Sequence, residues 1–362
     1  MKDETYSRPI VFGIDTESFL RQSRGNRSML ACYGQNSGNA LFSEALYRSI
    51  PNCRRATYQL SDAEDPDVIV VAAANWLSEH ADLSWLVKTL EATNLPVVVA
   101  GLGAQAGIDH AIPLLKPATE RFVRLVSERS TSISTRGAFT AEVLGRYGVQ
   151  NVVVTGCPSL LLAGEAAPNI LKASEVEYDG CVIHATRHGT GRVTSAQAYL
   201  YQQALKHELD IILQSEAEVS ELDGSALDLT ITKNSDDLPL IYGADLADVR
   251  RYLARHAQVY WRVDDWISAV SRKRFCVGSR VHGSIAALVA GTPSLLLAHD
   301  ARCVEMAEAM KIPTLQMDAI DTDKDMNIDA LLDATDIVAF QQHYSTYLKR
   351  FREFFRANGL ST

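Results

Sequence analysis

Short apolar runs, each followed by a turn and a helical pattern, recur along the chain and most restrict what it can fold into. Buried parallel strands are apolar without alternation, because helices cover both faces of their sheet. The first runs of this kind are Val68–Ala74, Val97–Gly101, Ser132–Thr135 and Val152–Thr155. The helical patterns between them are Ser84–Ala92, Ala118–Glu128 and Phe139–Tyr147. This order predicts a doubly wound α/β unit.

The same alternation restarts after residues 164–180, a stretch with Gly, Pro, Asn and Asp and weak periodicity. The later strand-like runs are Cys181–Ala185, Ile211–Gln214, Val259–Arg262, Phe275–Gly278 and Ser294–Ala298. The later helical patterns are Ala196–Lys206, Leu246–His256, Asp265–Ser271, Ile285–Val289 and Val304–Met310, while residues 217–237 fit neither pattern. We therefore predict two Rossmann-like doubly wound halves facing a cleft. Their expected bounds are residues 1–165 and 181–335, with a linker at 166–180 and a terminal helix at 336–362.

Composition and charge narrow the classes of function. The chain has 362 residues, 47% of them hydrophobic, and a net charge of −9, which argues against a nucleic-acid-binding protein. Its apolar runs are too short to span a bilayer, and its first residues lack the apolar core of a secretory signal. The six cysteines are scattered, without a CxxC pair, so disulfides and a zinc site are not expected. We expect a cytoplasmic protein without a metal.

Residues that directly follow strands are the first candidates for a site, because ligands bind outside the carboxyl ends of parallel strands. Arg136 lies where a predicted strand meets a helix, and its charge requires an anion, either a protein carboxylate or a ligand. Asn36 and Asn39 lie in a glycine-containing turn after the run Met29–Tyr33. Such a turn suits either an anion or a plain helix cap. Asn75 and Gln105 follow two further runs and offer hydrogen bonds to a ligand.

Two turns of the second half carry arginine beside histidine. Arg187 and His188 follow the run Cys181–Ala185, where they either bind an anion at the cleft rim or are solvated loop residues. The spacing of His184 and His188 suits a metal only on a helix, and this segment reads as strand and loop.

The segment Gly278–Gly283 is the strongest of these signals. Arg280 provides a two-pronged donor for carboxylate or phosphate, and His282 provides a donor or an acid–base group. Both precede or open a predicted helix, whose first amides favour an anion. Gly278, Ser279 and Gly283 complete the expected substrate-binding turn. A structural salt bridge and a core hydrogen bond are the alternatives for Arg280 and His282.

An ordered set of segments resembles the polysaccharide pyruvyl transferase family. Residues 278–283 (GSRVHG) with Gly291-Thr292-Pro293 resemble the family's "gRxHg…aGxP" segment. The other segments, in the same order, are Asn36–Asn39, Gly101–Gly103, Ser134–Gly137 and Gly156–Ser159. Three positions depart from the family pattern, which often has Asp at Asn39 and at Cys157 and a glycine-rich turn at Ala73–Asn75.

The resemblance implies a fold similar to GT-B glycosyltransferases and a specific chemistry. Phosphoenolpyruvate is the implied donor, and a sugar or lipid-linked oligosaccharide is the acceptor of a pyruvate ketal. Arg280 and His282 are implied to hold the donor, with Arg136 as a second clamp on the anion. His282 either binds phosphate or delivers a proton. The implied reaction needs no cofactor. The alternatives are a nucleotide-sugar glycosyltransferase of the same architecture and a non-catalytic carbohydrate-binding protein.

The segment Phe340–Asn358 has aromatic residues at helical spacing and predicts one amphipathic helix. Its apolar stripe is Tyr344, Tyr347, Leu348, Phe351, Phe354 and Phe355, and its basic residues are Lys349, Arg350, Arg352 and Arg356. The stripe either packs back on the N-terminal half or rests on an anionic membrane at its inner face. Packing is the more common fate of such a stripe.

Overall fold

A computed structural model describes residues 5–22, 25–60, 65–106, 111–186, 195–215, 218–222 and 238–361. The strands of the first half are β1 (Pro9–Phe12), β2 (Arg54–Ala56), β3 (Val68–Ala72), β4 (Val97–Ala100), β5 (Ile133–Thr135) and β6 (Val152–Val154). Its helices are α1 (Thr16–Gln22), α2 (Asn26–Cys32), α3 (Asn39–Ser49), α4 (Ser84–Glu91), α5 (Pro117–Arg129) and α6 (Ala138–Arg146).

The strands of the first half form a parallel sheet in the order β2-β1-β3-β4, and β5 pairs in parallel with β6. A bridge between Leu102 and Thr135 joins the β5–β6 pair to the end of β4. The order reverses between β1 and β3, which makes the space above their carboxyl ends a topological switch point. Ligands of doubly wound sheets bind at such points.

The second half has a six-stranded parallel sheet in the order β12-β11-β10-β7-β8-β9. Its strands are β7 (Cys181–His184), β8 (Asp210–Ile212), β9 (Ala257–Gln258), β10 (Phe275–Gly278), β11 (Ser294–Ala298) and β12 (Thr314–Gln316). Its helices are α7 (Ser195–Lys206), α8 (Glu218–Glu221), α9 (Leu238–Tyr242), α10 (Leu246–His256), α11 (Val263–Val270), α12 (Val281–Val289), α13 (Ala301–Met310), α14 (Ile328–Asp333) and α15 (Ile337–Ala357). Counted from β7, the order is that of the Rossmann fold, with its switch point between β7 and β10.

The predicted class, α/β with two Rossmann-like parallel sheets, is confirmed, and a few elements differ from prediction. Met29–Tyr33, interpreted as the end of a strand, lies mainly in helix α2, where Met29 and Leu30 face the core. The predicted strand Val259–Arg262 is wrong: strand β9 ends at Gln258, and Arg262 is already the N-cap of α11. Apolar side chains from both halves share one hydrophobic core, so the segment 164–180 joins halves that are packed together. The domain bounds given above remain predictions.

The helix predicted near the C-terminus is confirmed as α15. Its aromatic stripe is buried in the shared core, together with Val11 and Phe42 of the first half and Met310 of the second. The Tyr347 hydroxyl donates to the Cys157 carbonyl oxygen at 2.7 Å. The Asn358 side-chain oxygen accepts from the backbone amides of Thr131 and Ser132, both at 3.1 Å. Within the described ranges, no helix is long and apolar enough to cross a membrane.

Candidate functional site

A narrow cleft, with a cavity volume of about 20 Å³, lies between the carboxyl ends of the two sheets. Nine described residues line it: Asn36, Arg136, Thr186, Gln214, Arg280, Val281, His282, Arg302 and Met306. Three of these nine are arginines and none is acidic. Because guanidinium groups stay charged in proteins, the lining presents a concentrated positive charge to whatever enters.

Arg136 comes from the turn between β5 and α6 and is only 1% exposed. Its Nε donates to the Gly101 carbonyl oxygen at 2.8 Å, and Nη2 donates to the Ala73 carbonyl oxygen at 3.0 Å. Its Nη1 donates to the Asn75 side-chain oxygen at 3.0 Å. These three acceptors are neutral, so they satisfy the hydrogen bonds of the guanidinium without cancelling its charge. Burial lowers the pKa of Arg136, yet an arginine remains protonated at neutral pH.

Arg280 reaches the cleft from the other half, at the N-cap of helix α12. Its Nε donates to the Ala185 carbonyl oxygen at 2.9 Å, and Nη2 donates to the Ser215 hydroxyl. Ala185 follows β7 and Arg280 follows β10, so this contact spans the switch point of the second sheet. The side chain is half-buried, in contrast to the fully buried Arg136.

The glycines of the same turn make room for His184. A Cβ at Gly278 would lie 1.7 Å from the His184 carbonyl oxygen, and one at Gly283 would lie 2.5 Å from the His184 ring. Nδ1 of His184 accepts from the Arg280 backbone amide at 3.1 Å, and burial, assisted by the Arg280 charge, lowers the pKa of His184 to about 3. Ser279 is fully buried, and its hydroxyl accepts from the Thr186 amide at 2.8 Å. The structure thus places Gly278, Ser279 and Gly283 behind the cleft lining, where they fix the turn that carries Arg280.

His282 lies in the first turn of α12 and lines the cleft. Its Nε2 is 3.7 Å from the Cys157 Sγ, and its ring is 5.7 Å from the ring of Phe42. Burial, followed by the charges of Arg136, Arg302 and Arg280, holds the pKa of His282 well below its ordinary value. The imidazole is therefore neutral at neutral pH, with one nitrogen able to donate and the other able to accept.

Sequence reasoning missed the third arginine, Arg302, at the start of α13. Its Nη2 donates to Asp300 at 3.0 Å, and Asp300 in turn caps α13 by accepting from the Cys303 amide at 2.8 Å. Burial opposes the charge of Asp300, but Arg302 and His299 outweigh burial and hold the pKa of Asp300 below its usual range. The signal was available, because these residues follow the strand predicted at Ser294–Ala298.

His299, Asp300 and Cys303 also bring one nitrogen, one oxygen and one sulfur within 4.8 Å of one another. No metal-ligand spacing in the sequence predicted this group. Burial raises the pKa of the Cys303 thiol to about 12. Asp300 of this group pairs with Arg302 and thereby orients it.

The asparagine turn between α2 and α3 reaches across to the second half. The Ser37 amide donates to the Gln214 carbonyl oxygen at 2.9 Å, and a Cβ at Gly38 would lie 2.9 Å from Nδ1 of His282. Asn36 lines the cleft and accepts from the Gly38 amide at 2.9 Å. Asn39 instead donates to the Tyr33 carbonyl oxygen at 2.9 Å, within its own half.

Two further predicted site residues, Asn75 and Gln105, do not line the cleft. Gln105 is exposed and does not belong to the lining. Asn75 acts through Arg136, whose guanidinium it holds. Arg187 and His188 lie outside the described residues.

Glu305 joins the two halves beside the cleft. This residue of α13 is 4% exposed, and it accepts from the Thr140 amide at 3.0 Å and from the Thr140 hydroxyl at 2.7 Å. Thr140 lies in the first turn of α6, directly after the Arg136 turn, so the carboxylate meets the positive end of that helix. A Cβ at Gly137 would lie 2.5 Å from the Glu305 Cβ, which explains the glycine.

The family model described as polysaccharide pyruvyl transferase matches residues 11–301 of the chain. This range contains Arg136, Arg280 and His282, and it ends immediately before Arg302.

The chain also resembles individual proteins at low identity. It is 23% identical over 279 residues to a glutamine–fructose-6-phosphate aminotransferase (isomerizing) from Lactococcus lactis, and the match covers 75% of this chain but only 42% of that protein. Among solved structures, it resembles a putative UDP-N-acetylglucosamine 2-epimerase from Listeria monocytogenes, at 11% identity and a TM-score of 0.40, with 96% of each chain covered. It also resembles MnaA of S. aureus in a UDP co-structure, at 11% identity and a TM-score of 0.39, covering 97% of this chain and 90% of the other.

Proposed function

Since the chain belongs to the polysaccharide pyruvyl transferase family, we propose that it transfers the pyruvyl group of phosphoenolpyruvate to two hydroxyls of a sugar acceptor, forming a ketal. The observation that carries this proposal is the meeting of Arg136, Arg280 and Arg302 in one cleft lined by no acidic residue among those described. Phosphoenolpyruvate offers a phosphate and a carboxylate, and arginine binds both groups through two parallel hydrogen bonds. A cleft with three guanidinium groups suits such a doubly anionic donor.

The reaction balances without an oxidant or a reductant. A proton adds to the methylene carbon of phosphoenolpyruvate, and one sugar hydroxyl forms a bond to the neighbouring carbon and loses its proton. The bond from that carbon to the phosphate oxygen then breaks, and a second sugar hydroxyl closes the ketal while its proton goes to the phosphate. The products are the pyruvylated sugar and inorganic phosphate. The proposed reaction uses no cofactor, and phosphoenolpyruvate is its donor substrate.

The charged arginines and the neutral histidine of the cleft have different roles in this reaction. Arg136 and Arg280 hold the anionic groups of the donor from opposite halves, and Arg302 is oriented by Asp300 to complete the cradle. Charge that develops on the departing phosphate is stabilised by these fixed groups. The neutral His282 can accept the proton that a sugar hydroxyl loses, and the imidazolium so formed can give that proton to the departing phosphate.

The acceptor in this proposal is a sugar, either free or lipid-linked, and the reaction takes place in the cytoplasm. A lipid-linked acceptor would bring the protein to the inner face of a membrane. The aromatic stripe of α15 is buried, so membrane contact would rely on its basic side chains, and Arg352 among these already pairs with Glu165. Electrostatic attraction of this kind is weak and reversible.

A product assay tests the proposal. Phosphoenolpyruvate labelled with ¹³C at its central carbon is incubated with the protein and a panel of lipid-linked and nucleotide-linked sugars, while released phosphate is measured. We expect phosphate release that depends on one acceptor, a ketal carbon signal in the product, and activity that survives EDTA. Free pyruvate as the labelled product, or release that ignores the acceptor, would contradict ketal formation. Turnover lost with EDTA and restored by a divalent ion would favour a metal-dependent sugar transferase.

A further inference from the structure

Cys157 contacts His282 from the shared hydrophobic core rather than from the cleft. The cysteine belongs to the first half and is fully buried, whereas the histidine belongs to the second half and lines the cleft. Sγ of Cys157 is 3.7 Å from Nε2 of His282, within the longer reach of hydrogen bonds to sulfur. The same sulfur accepts from the Ser159 hydroxyl at 3.1 Å. The contact therefore joins a group of the core to the acid–base group of the site.

The backbone of Cys157 is held in place by residues of two helices. Its carbonyl oxygen accepts from the Tyr347 hydroxyl of α15 at 2.7 Å, and its amide donates to Sδ of Met310 in α13 at 3.4 Å. Gly156, directly before it, has a φ of 91°, and a Cβ there would lie 2.7 Å from Cγ of Met310. Because these contacts fix the backbone, the sulfur is held beside the histidine.

The two ring nitrogens of His282 face different surroundings. Nδ1 lies toward the asparagine turn, where a Cβ at Gly38 would be 2.9 Å away, and Asn36 of that turn lines the cleft. Nε2 lies toward Cys157. A neutral imidazole has one N–H and one free electron pair, so the hydrogen bond made by one nitrogen decides the state of the other. The contact with sulfur thus decides what Nδ1 presents on the cleft side.

We propose that Cys157 is a positioning residue, whose sulfur accepts the Nε2–H of His282 and thereby leaves the electron pair of Nδ1 free on the cleft side. This inference rests on the proposed function, in which His282 accepts the proton of a sugar hydroxyl. That proton goes to Nδ1, and Nδ1 later gives it to the departing phosphate. The hydrogen on Nε2 stays on its nitrogen throughout. The bond from Ser159 also uses the sulfur as an acceptor, in agreement with this direction.

A neutral thiol suits a histidine in these surroundings. Burial and the charges of Arg136, Arg302 and Arg280 disfavour the imidazolium and hold the pKa of His282 well below its ordinary value. A thiol accepts the hydrogen bond without bringing a negative charge, whereas a carboxylate in its place would favour the imidazolium. His282 therefore keeps a free electron pair at neutral pH and is ready to act as a base.

The tautomer of His282 is measured by ¹⁵N NMR on the full-length protein labelled at histidine, since the shift of a ring nitrogen reports whether it carries a hydrogen. The spectrum of His282→Gln identifies the His282 signals among those of the nine histidines. At neutral pH, we expect Nε2 to carry the hydrogen and Nδ1 to be unprotonated. A hydrogen on Nδ1 in the wild-type protein would overturn the proposal without the need for any variant at Cys157.

Variants separate this contact from a general effect on the core. Cys157→Ala should raise the fraction of the Nδ1–H tautomer, because Nε2 loses its acceptor, and Cys157→Ser should stay closer to the wild type. Cys181→Ala is the matched control, because Cys181 is equally buried at the start of β7, where its Sγ donates to the Glu177 carbonyl oxygen. An unchanged tautomer in a folded Cys157→Ala protein would overturn the proposal.

Calorimetry with phosphoenolpyruvate separates this inference from the proposed function. Cys157→Ala and wild-type protein should bind phosphoenolpyruvate equally well, because the three arginines of the cleft remain. If the wild-type protein has the Nε2–H tautomer but binds no phosphoenolpyruvate, the role of Cys157 stands and the donor assignment fails. If it binds phosphoenolpyruvate while Nδ1 carries the hydrogen, the donor assignment stands and the role of Cys157 fails.

Discussion

Arg136 and Arg280 approach the same cleft from opposite halves, and the two turns that carry them are built differently. Arg136 is fully buried and held by the carbonyl oxygens of Ala73 and Gly101 and by Asn75. Arg280 is half-buried, and its turn is shaped by the glycines packed around His184. Arg136 therefore stabilises its sheet and also supplies a positive charge to the cleft. Arg280 supplies a positive charge without being needed for the stability of the fold. Replacement of Arg136 is expected mainly to lower the free energy of unfolding, whereas replacement of Arg280 is expected mainly to lower the affinity for the donor.

The largest effect should come from replacing Arg136. In Arg136→Met, the two carbonyl oxygens and the Asn75 amide lose their donor inside the protein, at about 1–3 kcal/mol for each unsatisfied group. We expect the free energy of unfolding, measured by urea denaturation, to fall by roughly 3 kcal/mol or more. Arg136→Lys keeps the charge and should lose less. An Arg136→Met protein as stable as the wild type would remove the distinction between the two turns.

Arg280→Ala should weaken binding of the donor without unfolding the protein. Loss of one charge-assisted contact to a buried anion weakens binding by about 2–5 kcal/mol, and calorimetry with phosphoenolpyruvate measures that loss. Arg124→Ala, at an exposed position of α5, is the control for removal of a surface charge. Unchanged donor affinity in a folded Arg280→Ala protein would show that Arg280 does not belong to the cradle.

Glu305→Gln tests whether the contact between Glu305 and Thr140 holds together the two halves that carry Arg136 and Arg280. The variant weakens the hydrogen bonds to Thr140 and removes the negative charge at the start of α6. Bonds to charged groups contribute about 1.5–3 kcal/mol, so we expect a loss of about that size in stability. In a double-mutant cycle with Thr140→Val, the two losses should not add. Additive losses would mean that the residues act independently.

The smallest effect concerns pH. His184 and His282 are neutral in the folded protein, with pKa values lowered to about 3 and well below the ordinary value, respectively. In the unfolded chain both imidazoles take up a proton as the pH falls below about 6.5. The free energy of unfolding is therefore at its full value above that pH and decreases below it. We expect a loss of about 1 kcal/mol per histidine between pH 6.5 and 5.5.

Denaturation at the two pH values checks this effect. His184→Gln should flatten the dependence, and His80→Gln, at an exposed position, should not. The same slope in His184→Gln and wild-type protein would contradict the assignment of a buried neutral imidazole.

Local sequence patterns predicted the elements well where one physical signal dominated. The apolar runs of β3, β4 and β10 and the aromatic stripe of α15 each bury a complete face, so their hydrophobicity identifies them. The short strands β2 and β12 were missed because each has only three residues, with polar residues among them.

The site was predicted less completely, because its contacts join distant segments. The turn with Arg280 and His282 was recognisable, since glycines and an arginine follow a strand. That Gly278 and Gly283 make room for His184 depends on the pairing of β7 with β10, which local patterns do not contain. Arg302 stood beside a predicted strand end and pairs with the nearby Asp300, but its approach to Arg136 required the packed halves.

Calorimetric titration of the wild-type protein with phosphoenolpyruvate and, separately, with UDP-glucose tests the central claim most directly. We expect phosphoenolpyruvate to bind at one site per chain, with an affinity that falls as salt is added, because the cradle acts through charge. UDP-glucose should neither bind the cleft nor displace the donor. Binding of UDP-glucose at this cleft, with no binding of phosphoenolpyruvate, would contradict the claim and identify the arginines as a diphosphate site of a sugar transferase.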